Sequence, residues 1–222
     1  MTMNYIEASR GASEADLEQY ADGITQMEQL ARNLHSQRLL PERFAPEPSR
    51  LHPSLEGRVD VWPQLAHGGS SKQELLSNVS ALPAEIGSNA SFMSESAKFI
   101  AQPEFHTRDL VIARVDVLVP SPKGNYATIE EIEQARDEKG GEPVYAETAH
   151  QILLQHGDDL KVGDPIWMSM KPIADRRGRP RVFVVVRDRR GLWLDGIWAR
   201  PSSELHPDHR VAFFLPQVTK AA

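Results

Sequence analysis

Residues 162–199 read VGDPIWMSMKPIADRRGRPRVFVVVRDRRGLWLDGIWA. Apolar runs of strand length alternate here with turns built from Gly, Pro, Asp and Arg, the pattern of short antiparallel strands joined by tight connections. Strands are expected at 165–173, 181–188 and 191–199, with another at 210–216. Val182, Val184 and Val186 fall on one side of the second strand, Phe183 and Val185 on the other. Both sides are apolar, so this strand is expected to be covered on both faces. Gly163-Asp164-Pro165 is a turn signal: glycine permits the bend, aspartate accepts backbone hydrogens and proline sets the following φ.

Upstream, LVIARVDVLVP (110–120) reads as one strand, with Val111, Ala113, Val115, Val117 and Val119 alternating against Ile112, Arg114, Asp116 and Leu118. Thr128 and Glu131 make a capping box that opens a helix stopped by Gly140-Gly141. Pro143 fits the first turn of the next helix, which carries Ala146, Ala149, Ile152 and Leu153 inward and ends at Gly157. Ser71 and Glu74 form a second capping box. The pair SSKQELLSNVSAL and SFMSESAKFIAQ, joined through Pro83 and Gly87, reads as a helical hairpin.

Nearer the N-terminus, residues 41–69 contain Pro41, Pro46, Pro48, Pro53 and Pro63 and end in Gly68-Gly69. Proline removes backbone donors and blocks helix, which predicts an extended connector. Before it, Leu17, Tyr20, Ile24, Met27, Ala31 and Leu34 place one apolar stripe along a helix from Ala15 to Gln37. The predicted organisation is an amphipathic helix in 1–40, a Pro/Gly-rich connector in 41–69 and an α+β domain in 70–222. In that domain short helices pack on a mainly antiparallel C-terminal sheet that ends as a β-meander.

The segment from Leu110 to Pro216 resembles a group of uncharacterised bacterial proteins. The resemblance is carried by LVIARVDVLVP, the Ile129-Glu130-Glu131-Ile132 run, YAETAHQILLQH, PIWMSMKPIADRRGRPRVFVV, GLWLDGIWARP and the terminal RVAFFLP. It implies a domain boundary and transfers no activity. Where similar proteins carry a tryptophan before the last strand, this chain has Glu204-Leu205-His206.

The 222-residue chain has a formal charge of −6 and no cysteine. Disulfides, thiolate catalysis and cysteine-ligated zinc are excluded. Residues 1–102 hold 8 Lys and Arg against 13 Asp and Glu, while residues 103–222 hold 17 against 18. The acid excess therefore lies in the first half, and the second half is nearly neutral with its arginines bunched. No apolar run reaches membrane-spanning length and no signal-peptide core is present, so a soluble, cytoplasmic protein with no membrane partner is expected. No phosphate-binding loop, nucleophile elbow or dinucleotide fingerprint occurs. No catalytic residue, metal ligand or cofactor is assigned.

Three clusters remain. Arg176, Arg177, Arg179, Arg181, Arg187, Arg189 and Arg190, with Trp193 and Trp198 nearby, offer forked donors and stacking surface for an anionic partner or nucleic acid. The two turns that carry them lie at opposite ends of one strand, so two patches are expected. They also suit solvated turns that guard strand edges. Glu147 and His150 share a helix face at i, i+3, a spacing known from carboxylate-bridged metal sites that need a second copy absent here. His206, Asp208 and His209 crowd a turn before the last strand. The leading functional expectation is a non-enzymatic interaction or accessory protein that binds a protein partner or self-associates through the N-terminal helix. Nucleic-acid binding through the arginine turns is the alternative. A small metal-dependent or acid–base hydrolase using His150, His206, His209 and nearby acids is the third reading.

Overall fold

The structure, a computed structural model, describes residues 51–120 and 126–216. These fall in one compact unit, Ser49–Ala222. The predicted N-terminal helix and the connector up to residue 50 lie outside the described residues.

A mixed, mainly antiparallel sheet forms the middle layer. Its order is β1 (Asp60–His67), β3 (His106–Arg114), β10 (Arg210–Phe214), β5 (Ile166–Met168), β7 (Pro180–Arg187), β8 (Leu192–Trp198) and β2 (Ala84–Ile86), with the short β6 (Ile173–Ala174) also beside β7. Helices cover both faces. On one side α1 (Lys72–Ser80), α2 (Ser88–Glu95) and α5 (Thr148–His156) supply Leu75, Val79, Ala90, Met93, Ile152 and Leu153 to a core with Ile112, Ile166, Phe183 and Phe214. On the other, α3 (Val115–Leu118) and α4 (Ile129–Glu138) pack Val115, Leu118 and Ile132 against Val111, Val211 and Phe213. A two-stranded ribbon, β4 (Ala127–Thr128) with β9 (Glu204–Leu205), adds Ala127 and Leu205 to this second core.

Several elements follow local chemistry. Both capping boxes form: Glu74 N–H donates to Ser71 Oγ and Ser71 N–H to Glu74, and Thr128 and Glu131 repeat the exchange at 3.2 and 2.9 Å. Thr128→Ala should lower the unfolding free energy by about 1 kcal/mol, read by urea denaturation, because one N-terminal donor of α4 loses its acceptor. Residues 181–185 of β7 are all buried, as a strand apolar on both sides requires.

Elsewhere tertiary pairing departs from the local reading. β10 does not extend the meander after β8. It inserts between β3, antiparallel, and β5, parallel. Val211 through Phe214 are buried on both faces, which a central position satisfies and an edge would not. The strand expected over 110–120 ends at Arg114, and 115–118 makes one helical turn because carbonyls of His209 and Pro207 accept the N–H groups of Val115 and Asp116. The helical hairpin is interrupted by β2, which pairs parallel with β8. Pro143 opens no helix: Glu142 and Val144 bridge Phe214 and Met170, and α5 starts at Thr148. Part of the predicted connector, Asp60–His67, is the edge strand of the sheet, paired with β3. Its outer edge is stopped at Ala66, whose N–H and C=O are both bonded by the Gln155 amide.

Candidate functional site

The β6–β7 connection, Asp175-Arg176-Arg177-Gly178-Arg179, is organised by its one carboxylate. Asp175 Oδ1 accepts the backbone N–H groups of Arg177 and Arg179 at 2.8 and 3.0 Å. Its Oδ2 accepts the Nε–H of Arg179 and of Arg181 at 2.9 and 3.0 Å. Removal from water works to raise the Asp175 pKa, but these bonds outweigh it and hold the carboxyl well below the usual range. Arg181 is buried and also donates to the Gly196 carbonyl at 2.7 Å. The carboxylate thus consumes Arg179 and Arg181 and orients the turn.

Two residues in this turn are left over. Arg176 and Arg177 are exposed, and among the described residues neither has a carboxylate partner. Arg176 lies over the Phe92 ring of α2 at 5.1 Å. β8 returns antiparallel to β7 and sets Trp198 opposite Arg181. The indole is 49% exposed and has the guanidiniums of Arg179, Arg181 and Arg200 at 4.9, 5.8 and 5.8 Å. Such contacts hold a cation over a ring face and let its N–H edges donate sideways, as Arg179 and Arg181 do to Asp175. Between α2 and the turn runs a groove of about 320 Å³ lined by Ser88, Asn89, Phe92, Asp175, Arg176, Arg177 and Arg179.

The sequence-predicted arginine cluster is therefore divided. Arg176, Arg177, Arg179, Arg181 and Trp198 meet at one end of β7. Arg189 and Arg190 are exposed at the other end, with Trp193 opposite Val186. There the Asp188 carboxylate accepts the N–H groups of Arg190 and Gly191, which depresses its pKa. Arg187 is spent on the carbonyls of Gly157 and Asp158. Phe92 and Arg200 are members that the sequence reading missed. Arg200 had a signal, two residues beyond Trp198, but Phe92 had none: it arrives from α2 through tertiary packing.

The pair Glu147 and His150 does not converge, whereas His206 meets both Asp208, at 3.5 Å, and the His209 ring, at 5.9 Å. His150 is buried, its Nε2 bonded to Ser94 Oγ at 2.9 Å and its ring set edge-on to Phe99 and Phe183. Burial pushes its pKa down to about 3, so it is neutral. Glu147 points elsewhere and accepts the backbone N–H groups of Gly68 and Gln102, each at 3.0 Å; burial raises its pKa. His67, unnoticed in the sequence, is fully buried beside it. Its Nδ1–H donates to the Leu65 carbonyl, its Nε2 accepts from Thr148 Oγ1 at 3.0 Å, and burial lowers its pKa to about 4. These groups serve the core and the loops around it.

His206, Asp208 and His209 sit at the mouth of β10. His209 stacks on Trp167 and His206 meets Tyr126 edge-on, while Asp208 pairs with Arg114. Among the described residues no group of three His, Asp or Glu is arranged to hold a metal ion.

A second groove, about 410 Å³, is lined by Asp60, Trp62, Asp159, Lys161, Asp164 and Arg210, among others. Most of its charges are paired: Arg210 pairs with Asp60 and, at 3.9 Å, with Asp164, and Lys161 lies 4.0 Å from Asp60. Of these two grooves the arginine one carries the larger excess of one sign, three guanidiniums against one carboxylate. No helix among the described residues is long and apolar enough to cross a membrane. No family model matches the chain, and neither a curated protein nor a solved structure shows significant similarity to it.

Proposed function

We propose that this chain is a non-enzymatic interaction module that docks an acidic segment of a protein partner on the Arg176, Arg177, Arg179, Trp198 and Arg200 surface. The observation that carries this reading is the exposed Trp198 indole among three guanidiniums, beside two arginines without a carboxylate partner among the described residues. Exposed aromatic and arginine side chains are the residue types that dominate binding energy at protein interfaces. A protein partner is favoured over nucleic acid because the patch is short and the chain carries a net −6, whereas a nucleic-acid backbone is tracked by an extended basic surface.

The test is binding to polyglutamate, followed through tryptophan fluorescence at low ionic strength. Saturable binding is expected, weakening with added salt as the ion pairs are screened. Its affinity should fall roughly tenfold in the Arg176→Ala/Arg177→Ala protein, the size of losing charge-assisted hydrogen bonds. Absence of saturable binding at low salt rejects the reading. Tighter binding to single-stranded DNA than to polyglutamate, with the same loss in the variant, would transfer it to nucleic acid.

Self-association through the stripe Leu17, Tyr20, Ile24, Met27, Ala31 and Leu34 is a separate reading that rests on periodicity alone. Light scattering on the full chain and on a chain starting at Ser49, the first residue of the compact unit, tests it. Identical monomer masses would remove it.

A further inference from the structure

We infer that the groove between α2 and the β6–β7 turn is a receptor for a phosphomonoester, presented as a phosphorylated serine or threonine of the protein partner. The inference rests on the interaction reading above and adds the chemical class of the group that enters. Its first support is charge balance. Four arginines, Arg176, Arg177, Arg179 and Arg181, share this end of β7 with one carboxylate, Asp175. Asp175 already spends both oxygens on Arg179, Arg181 and two backbone N–H groups. Arg176 and Arg177 remain, and a dianion neutralises two such groups where one further carboxylate neutralises one. A phosphomonoester carries close to two negative charges at neutral pH and three acceptor oxygens.

The second support is donor geometry. Arg176 lies over the Phe92 ring at 5.1 Å, which holds its guanidinium beside the groove. Ser88 and Asn89 contribute a hydroxyl and an amide, and neither side chain hydrogen-bonds to another described residue. A tetrahedral oxyanion with several acceptors suits a set of donors arriving from two elements, α2 and the turn. The third support is size. A groove of about 320 Å³ admits one modified side chain and not a strand of polymer, so the flanking partner residues would run outward over Trp198 and Arg200.

The experiment uses the full chain and three versions of a short glutamate-rich peptide whose central residue is Ser, Glu or phosphoserine. Tryptophan fluorescence, checked by calorimetry, reads the affinities. The phosphoserine peptide should bind about tenfold more tightly than the serine peptide, with the glutamate version between them. Inorganic phosphate should compete with the phosphoserine peptide. Discrimination should shrink as pH falls below about 6, where the phosphoryl group loses its second charge. Arg176→Ala/Arg177→Ala should abolish the difference between phosphoserine and serine without changing the urea midpoint, since both side chains are exposed. Ser88→Ala, which leaves every guanidinium in place, should reduce the difference without removing it. Equal affinity for all three peptides overturns the phosphate assignment while leaving the acidic-partner reading intact. Failure of every peptide and of polyglutamate overturns both.

Discussion

Lowering the pH from 7 to 5 should cost the folded protein roughly 4 kcal/mol, because two buried histidines must be neutral in the fold. His67 and His150 have pKa values of about 4 and 3, below the 6.5 of a solvated ring, and burial is the main cause in both. A depressed folded-state pKa means that the unfolded chain binds the protons first. Stability is fully present above 6.5 and drains away as the pH falls toward the folded values. At pH 5 each unfolded histidine is almost fully charged while its folded counterpart is not, and each such difference is worth about 2 kcal/mol. Glu147 acts in the opposite sense. Its raised pKa favours the protonated fold, so its contribution is present in acid and is lost as pH rises through its folded value. Urea midpoints measured across this range check the expectation. His150→Gln and His67→Gln should each remove about half of the acid-linked loss, whatever they do to stability at pH 7. A flat profile between pH 7 and 5 in both the wild-type and a Glu147→Gln protein would show that neither ring is held neutral.

Gly68→Ala should destabilise the protein by about 3 kcal/mol or more, the combined size of an overpacked site and a left-handed non-glycine backbone. Gly68 has φ +70, and a Cβ there would overlap the Glu104 carbonyl and approach the Gln102 carbonyl oxygen to 2.8 Å. Those atoms are backbone and cannot swing aside as the end of a flexible side chain would. The same displacement would strain the Glu147 carboxylate, which ties Gly68 N–H to Gln102 N–H. Gly57 is the internal control: its φ is +67, but a Cβ there meets nothing within 4 Å. Gly57→Ala should cost only about 1 kcal/mol, the backbone share alone. Denaturant unfolding of both variants separates the conformational from the steric contribution. Equal losses would mean that the 102–105 segment yields freely.

Both expectations concern contacts that local pattern does not reveal. His67 stands in a stretch read as a connector, and nothing in DVWPQLAHGG announces that its imidazole will meet Thr148 from the start of α5. Glu147 and His150 share one face by helical spacing, yet one clasps two loops and the other docks on Ser94. Sequence separation hides these partners because they are chosen by packing of whole layers, after the helices and strands exist.

The arginine end of β7 was more legible. Asp-Arg-Arg-Gly-Arg between two apolar runs states its own turn, and period-2 alternation sends Arg181 and Trp198 to a common face once β7 and β8 pair. The local sequence therefore determined the capping boxes, the strand character of 180–187 and 192–198, and the division of the basic residues between two ends of a strand. These depend on contacts a few residues apart, where backbone geometry and side-chain type suffice. Tertiary structure alone decided that β10 would enter the middle of the sheet, that 115–118 would coil, and that Phe92 would lie under Arg176. Each depends on which buried surface is available to cover an apolar segment or accept an N–H, and that surface is assembled from residues distant in the chain.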